Sequence, residues 1–334
     1  MTLRIVPLDA AHWQWPRTSV AAATFRGRRC VAFADDANLL ALPRGVGLTE
    51  GTIEADLAVG DQRAFHGLAW RVNGKTYESF FVRPHQVGNP DAVQYTPVFN
   101  DVSAWQLYHG PGYWAPVSFP IGRWFRMRVC FAADRGEAYL DDMAQPALVF
   151  ARLKAPVVAG GIGIQVGGPG LHVARFAYDP TKPILSGRAP RRPRNHPGTI
   201  ERWWVSNPVA EGAPLAFAQG WSRLESESGG LVNLARLHPI RGRRNTVFAR
   251  TTIRAAAAGL RALQMGFSDR AVVYLNGRPL FAGDDTYRAR DYRFLGSIGY
   301  WYTVQLPLEA GDNELAVAVS ESFGGWGLMA RLAD

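Results

Sequence analysis

Cysteine is close to absent from this chain. Two residues in 334 disfavour a disulfide framework or a metal knuckle, and both Cys30 in "RRCVAF" and Cys130 in "FRMRVCFA" sit in strand-like runs that suit buried free thiols. Their separation in sequence does not by itself forbid a bridge. Long apolar runs are missing as well: none approaches the roughly 18 to 20 residues that a membrane span needs, so no membrane partner is expected. The start, "MTLRIVPLDAAHWQW", lacks the charged opening, apolar core and small-residue cleavage site of a secretory signal. As it stands the chain reads as cytoplasmic, although a secreted protein trimmed of its leader would begin the same way. No H-E-x-x-H, paired C-x-x-C or EF-hand loop occurs. "GGIGIQVGGPG" is glycine-rich, but the strand-like "IGIQV" divides it and no helix follows to cradle a phosphate. No cofactor is predicted. The acidic doublets Asp35/Asp36, Asp141/Asp142 and Asp284/Asp285 are of a kind that holds structural calcium, and equally of a kind that is ordinary in turns.

Acidic residues are outnumbered, giving a formal charge of +9. The arginines are mostly scattered and base-reading motifs are absent, so a nucleic-acid partner is not expected. Their one cluster, "GRAPRRPRNHPG", is proline-rich without apolar period and suits a stiff extended linker.

What is abundant is turn chemistry and aromatic surface. The chain has 35 Gly, 22 Pro and 12% aromatic residues, with short apolar runs between turns, which predicts an all-β protein of two domains. "TIEADLAV" puts Ile53, Ala55, Leu57 and Val59 on one face, and "WFRMRVCF" puts Phe125, Met127, Val129 and Phe131 on one face. Both are signatures of half-buried antiparallel strands. "TTIRAAAAGLRAL", residues 251–263, tempts a helix assignment through its alanines, but Gly259 and β-branched flanks favour a strand, a tight turn and a strand at least as well. "VVYLNGRPLF" carries Asn276-Gly277 between strand-like runs, the strongest short-range hairpin signal. The boundaries that follow are 1–179 for a two-sheet sandwich, 180–199 for the linker and 200–334 for a second β-rich domain.

The order "TIEADLAV", "GLAWRV", "YESFFVRPH", a polar-aromatic insertion, "GRWFRMRVCF", "EAYLDD" and "GIGIQVG...HVARFAYD" resembles a concanavalin A-like lectin/glucanase domain. More narrowly it resembles laminin-G-like and 3-keto-glycoside hydrolase-like bacterial sandwiches. The second half, with "VVYLNG" and then "LEAGDNELAVAV", resembles the galactose-binding-like jelly roll attached to many glycoside hydrolases. The resemblance implies a carbohydrate or glycoconjugate partner.

Residues 83–114, "RPHQVGNPDAVQYTPVFNDVSAWQLYHGPGYW", are the candidate site. Prolines and glycines force an irregular path, and long ordered loops on a rigid scaffold carry binding function. Sugar recognition wants flat aromatic faces for the ring and planar polar groups for the hydroxyls. The candidate ligand-binding residues are Arg83, His85, Asn89, Asp91, Gln94, Tyr95, Asn100, Trp105, Tyr108, Tyr113 and Trp114. The alternative for any single aromatic is packing against the sheet.

Catalysis is left open. The E-x-D-x-E strand of laminarinase-type sandwiches is absent, Glu54 and Asp56 share an outward face and read as solvated, and Glu225 with Glu227 lacks a third acid. A glycoside hydrolase or lyase reaction of the 3-keto type would draw on Glu78, His85, Asp91 and His109. A further alternative is a protein-interaction or oligomerisation module, its aromatics serving as hot spots. The oligomeric state is undetermined.

Overall fold

Alternation decides the strands. In Gly51–Ala58 and Phe125–Ala132, the residues expected to face inward all lie in one buried cluster, and the two strands pair antiparallel with Met127 opposite Ala55. The computed structural model describes residues 2–191, 193–291 and 296–333. Among them the chain is all-β, built from antiparallel sheets, and its helical segments are 3-10 turns of three residues each. No helix among them is long and apolar enough to cross a membrane.

The chain divides into two units, residues 1–98 with 109–191 and residues 99–108 with 192–334. In the first, one sheet runs Leu148–Val149, Arg135–Leu140, Phe125–Ala132, Gly51–Ala58, His172–Asp179, Arg28–Phe33, Val20–Phe25. The other includes Val93–Phe99, Thr76–Val82, His66–Asn73, Gly160–Gly167, Asn38–Pro43 and Trp13–Gln14 in that order. Their inner faces share one core around Trp70, Phe80, Phe131, Phe150 and Phe176. The second unit has a larger sheet centred on Arg244–Ala255 and Gly311–Ser320. Its smaller sheet holds Leu231–Asn233, Gly327–Ala333, Gly259–Ser268 and Tyr302–Leu308. Trp203, Phe267, Trp326 and Leu328 fill the core between them.

The alanine-rich stretch is strand, turn and strand, Arg244–Ala255 followed by Gly259–Ser268. Asn276 and Gly277 take φ of 48° and 78° between Leu275 and Arg278, which pair directly, the left-handed geometry that a two-residue hairpin requires. Cys30 and Cys130 are free and buried. The arginine-proline stretch is anchored in part: Gly187 N donates to Glu137 at 2.8 Å in the first unit, and Asn195 donates to Glu201 at 2.6 Å in the second. One departure from the sequence reading matters for the site. Residues 99–108, inside the span given to the first domain, group with the second unit.

Candidate functional site

That departure divides the 83–114 segment. Asn100, Trp105 and Tyr108 belong to the second unit, and each has a structural partner there. Asn100 Nδ2 donates to Ala235 O at 2.8 Å. Trp105 packs 5.6 Å from both Tyr287 and Phe323. Tyr108 is buried and donates to Glu227 at 2.6 Å. The segment therefore does not supply one continuous set of ligand contacts, because its middle is spent on the second unit's packing.

In the first unit the remaining candidates fall on two sides of one sheet. Glu78 shares strand parity with Phe80 and Val82 and points into the core, where it is fully buried. Tyr95 Oη donates to its Oε2 at 2.6 Å, and the backbone amides of Lys154 and Ala155 each donate to Oε1 at 2.8 Å. Burial pushes the Glu78 carboxyl up, while these donors pull it back. It ties residues 154–155 to the sheet, and both Glu78, the candidate catalytic acid, and Tyr95, a candidate ligand contact, are interior groups. Tyr113 stacks at 6.2 Å on Tyr95, with Lys154 Nζ 5.8 Å from its ring centre.

The opposite face carries the other set. Gln94 lies across from Phe81 on one neighbour and Trp114 on the other, and directly opposed residues share a sheet face. Gln94 is buried and accepts from Arg83, whose Nη1 donates to Asp91 O at 2.6 Å and sits 3.7 Å from the Asp91 carboxylate. The guanidinium lies over Phe81 at 5.0 Å and over Phe65 at 5.7 Å. Arg83, Asp91 and Gln94 thus form a locked base.

Beyond it Pro84 opens the short turn Pro84–Gln86, which suits proline's fixed φ and missing N–H. This turn presents His85, half-buried, edge-on to Phe65 at 5.6 Å. Its Nδ1 is buried without a hydrogen-bond partner. Burial, then the charges of Arg63 and Arg83, hold the ring below the ordinary histidine value. Asn89 is exposed and donates to Gln86 at 2.5 Å. His109 sits 5.7 Å from Trp114, both half-buried.

Glu54 and Asp56 are not solvated. They are 0% and 5% exposed, roofed by arginines: Arg128 donates to Glu54 at 2.7 Å, Arg175 also donates to Glu54, and Arg126 and Arg28 reach Asp56 at 2.9 and 2.7 Å. Burial works against the Asp56 carboxylate, but these bonds outweigh it and hold it low. The acidic doublets serve turns and neighbours. Asp284 accepts from Thr286 N at 2.8 Å, Asp285 accepts from Tyr302 at 2.7 Å, Asp142 accepts from Ala144 N at 2.8 Å, and Asp35 and Asp36 are exposed. Among the described residues no group of three or more His, Cys, Asp or Glu is placed to hold a metal ion.

A buried pair that sequence reasoning passed over lies in the second unit. Asp269 Oδ2 accepts from Ser322 N and Phe323 N at 2.8 and 3.0 Å, and Glu321 Oε1 accepts from Gly325 N at 2.9 Å. Both carboxyls are raised by burial. Nothing in "SESFGG" marks Glu321 as buried, since serine and glycine neighbours read as a solvated turn.

No protein-family model matches the sequence, and no curated protein matches it. Solved structures match at a distance. The carbohydrate-binding module CBM66 from Bacillus subtilis is similar at 15% identity over 53% of this chain and 91% of that one, with a TM-score of 0.31. A Trypanosoma rangeli sialidase is similar at 11% identity over 50% of this chain and 27% of that one, TM-score 0.33. A rhamnosidase from Novosphingobium sp. PP1Y is similar at 15% identity over 80% of this chain and 20% of that one, TM-score 0.21. Likeness at this level carries no argument about ligand or reaction.

Proposed function

We propose that the protein binds a carbohydrate or glycoconjugate, and that the first unit receives it on the surface around His85. The observation that carries this reading is the unpartnered Nδ1 of His85 beside the ring of Phe65. A buried nitrogen left as an acceptor costs less than one left with an unsatisfied N–H, so the neutral ring keeps its proton on Nε2 and offers that group as a donor. Phe65 supplies apolar ring surface, Arg63 lies 5.6 Å over it, and Asn89 adds a planar amide at the surface. Beneath them Arg83 and Gln94 are already bonded, so this base is preorganised. Binding is favoured over hydrolysis because Glu78 faces the core on one side of the sheet while Arg83 stacks on Phe81 on the other. In the same reading residues 1–98 with 109–179 are a concanavalin A-like, laminin-G-like sandwich and residues 200–334 a galactose-binding-like jelly roll joined by residues 99–108.

A glycan array followed by calorimetry on the intact protein tests this. His85→Ala and Phe65→Ala are each expected to weaken binding about tenfold, the loss of one good polar or stacking contact, with little change in thermal midpoint for His85→Ala. A blank array, or binding that both variants leave intact, overturns it. Concentration-dependent assembly in light scattering with a blank array would favour a protein-interaction module instead.

A further inference from the structure

The strand His172–Asp179 meets two partners along one edge. Arg28–Phe33 pairs with it at His172 and Val173, and Arg4–Ile5 pairs with it at Ala177 and Tyr178, extended by Val6 N donating to Phe176 O at 3.0 Å. Neither partner pairs with Ala174 or Arg175. On the other edge the register to Gly51–Ala58 skips Ala174, a β-bulge. Pro7, with no N–H to give, ends the short amino-terminal ladder. The two partners therefore stop short of each other and leave a gap in the sheet, and bulges at such places often re-aim side chains beside functional sites.

The gap is a cleft of about 420 Å³ whose lining includes Pro7 and Leu8 together with Arg28, Arg29 and Arg175, and no carboxylate is part of that lining. Asp56 and Glu54 hold Arg28 and Arg175 in place through one guanidinium nitrogen each, which leaves other N–H groups of both for a further acceptor. Arg29 is exposed and has no ion-pair partner among the described residues. The Cys30 thiol at the cleft is pushed up by burial, so it stays neutral and does not offset the arginines. Three arginines on the lining of a cleft with apolar walls, and no carboxylate among that lining, fit a planar or tetrahedral oxyanion carried on a small organic body.

We infer that this cleft is an anion site, taking a small ligand that presents a carboxylate, sulfate or phosphate group. It lies on the sheet that carries Glu54 and Asp56, not the one that carries Gln94, and it does not depend on the His85 surface.

The intact protein is titrated calorimetrically with sodium sulfate, inorganic phosphate and glucuronate, with chloride at matched ionic strength as the reference. At least one oxyanion saturates a single site. Arg29→Ala and Arg28→Gln each weaken it roughly tenfold, as loss of one charge-assisted hydrogen bond should, while Arg254→Ala, at a side chain 88% exposed in the second unit, leaves it unchanged. Saturation by glucuronate points to a carboxylate-bearing ligand, and saturation by sulfate or phosphate alone to a ligand that presents that group, free or as an ester. No saturation by any of the three, or saturation that Arg29→Ala and Arg28→Gln leave intact, overturns the inference. Neutral glycans, which test the His85 surface, have no bearing on this result.

Discussion

Tyr95 donates its phenolic proton to Glu78 at 2.6 Å inside the first unit, with both side chains fully buried. The pair closes a local network. Lys154 N donates to the Tyr95 oxygen at 3.0 Å and to Glu78 at 2.8 Å, so one backbone amide is shared between the two partners. Glu78→Gln turns an acceptor toward three donors into a group with its own N–H bonds, and Tyr95→Phe leaves Glu78 short of a donor. Each is expected to cost about 2 to 3 kcal/mol, the desolvation penalty of a buried polar group stripped of its partner. Urea midpoints with an unchanged m-value check this. Midpoints within about 0.5 kcal/mol of wild type, the range of an ordinary surface substitution, would mean that the network does not hold residues 154–155.

The roof over Glu54 and Asp56 makes a second, separable claim. Arg128 is 15% exposed and bonds a carboxylate that is fully buried, so removing the guanidinium leaves Glu54 to Arg175 and Arg126 alone. A double-mutant cycle on Arg128→Ala and Glu54→Gln should give a coupling energy of about 1 to 3 kcal/mol, well above the value for an exposed pair. A coupling near zero would show that the Arg128–Glu54 pair does not contribute to holding the buried Glu54.

These two networks mark where the sequence stopped being legible. Period-two alternation is a local property, and it is enough to place Phe125, Met127, Val129 and Phe131 on one buried face, while Gly259 and β-branched flanks leave strand, turn and strand at least as good as helix for the alanine-rich stretch. Asn276-Gly277 was legible because positive φ at both positions is a demand on two residues alone. Glu78 and Tyr95 are 17 residues apart, and only the register between their strands brings them together. The arginines over Glu54 come from strands far away in sequence, so two acids at strand spacing looked exposed. Trp105 and Tyr108 sat in a segment rich in sugar-binding residue types, yet long-range packing assigns them to the second unit.

The pH dependence of stability should carry two opposed contributions, one from each unit. His66 is fully buried, with its Nε2 2.9 Å from Pro169 O, and burial lowers it from 6.5 to about 4. Between those values the unfolded chain binds a proton that the folded chain refuses, so this group adds stability as pH rises through the window. Glu321 works the other way. It is 1% exposed, and burial first, then the Asp269 charge, raise it from 4.5 to about 8, against donation from Gly325 and attraction to Arg270. Between those values the folded chain keeps a proton that the unfolded chain has lost, so stability falls as pH rises. Arg270 is already committed to Glu211 at 2.5 and 2.9 Å, so it does not readily compensate an ionised Glu321, and a charged Asp269 repels that carboxylate. Glu321→Gln should therefore gain on wild type progressively from about pH 5 to about pH 8, by up to about 1.4 kcal/mol per pH unit. Urea midpoints of both proteins across that range measure the difference directly. A gap that stays constant with pH would show that Glu321 ionises normally in the folded chain, and that its buried Oε2 finds a partner which the fold does not itself supply.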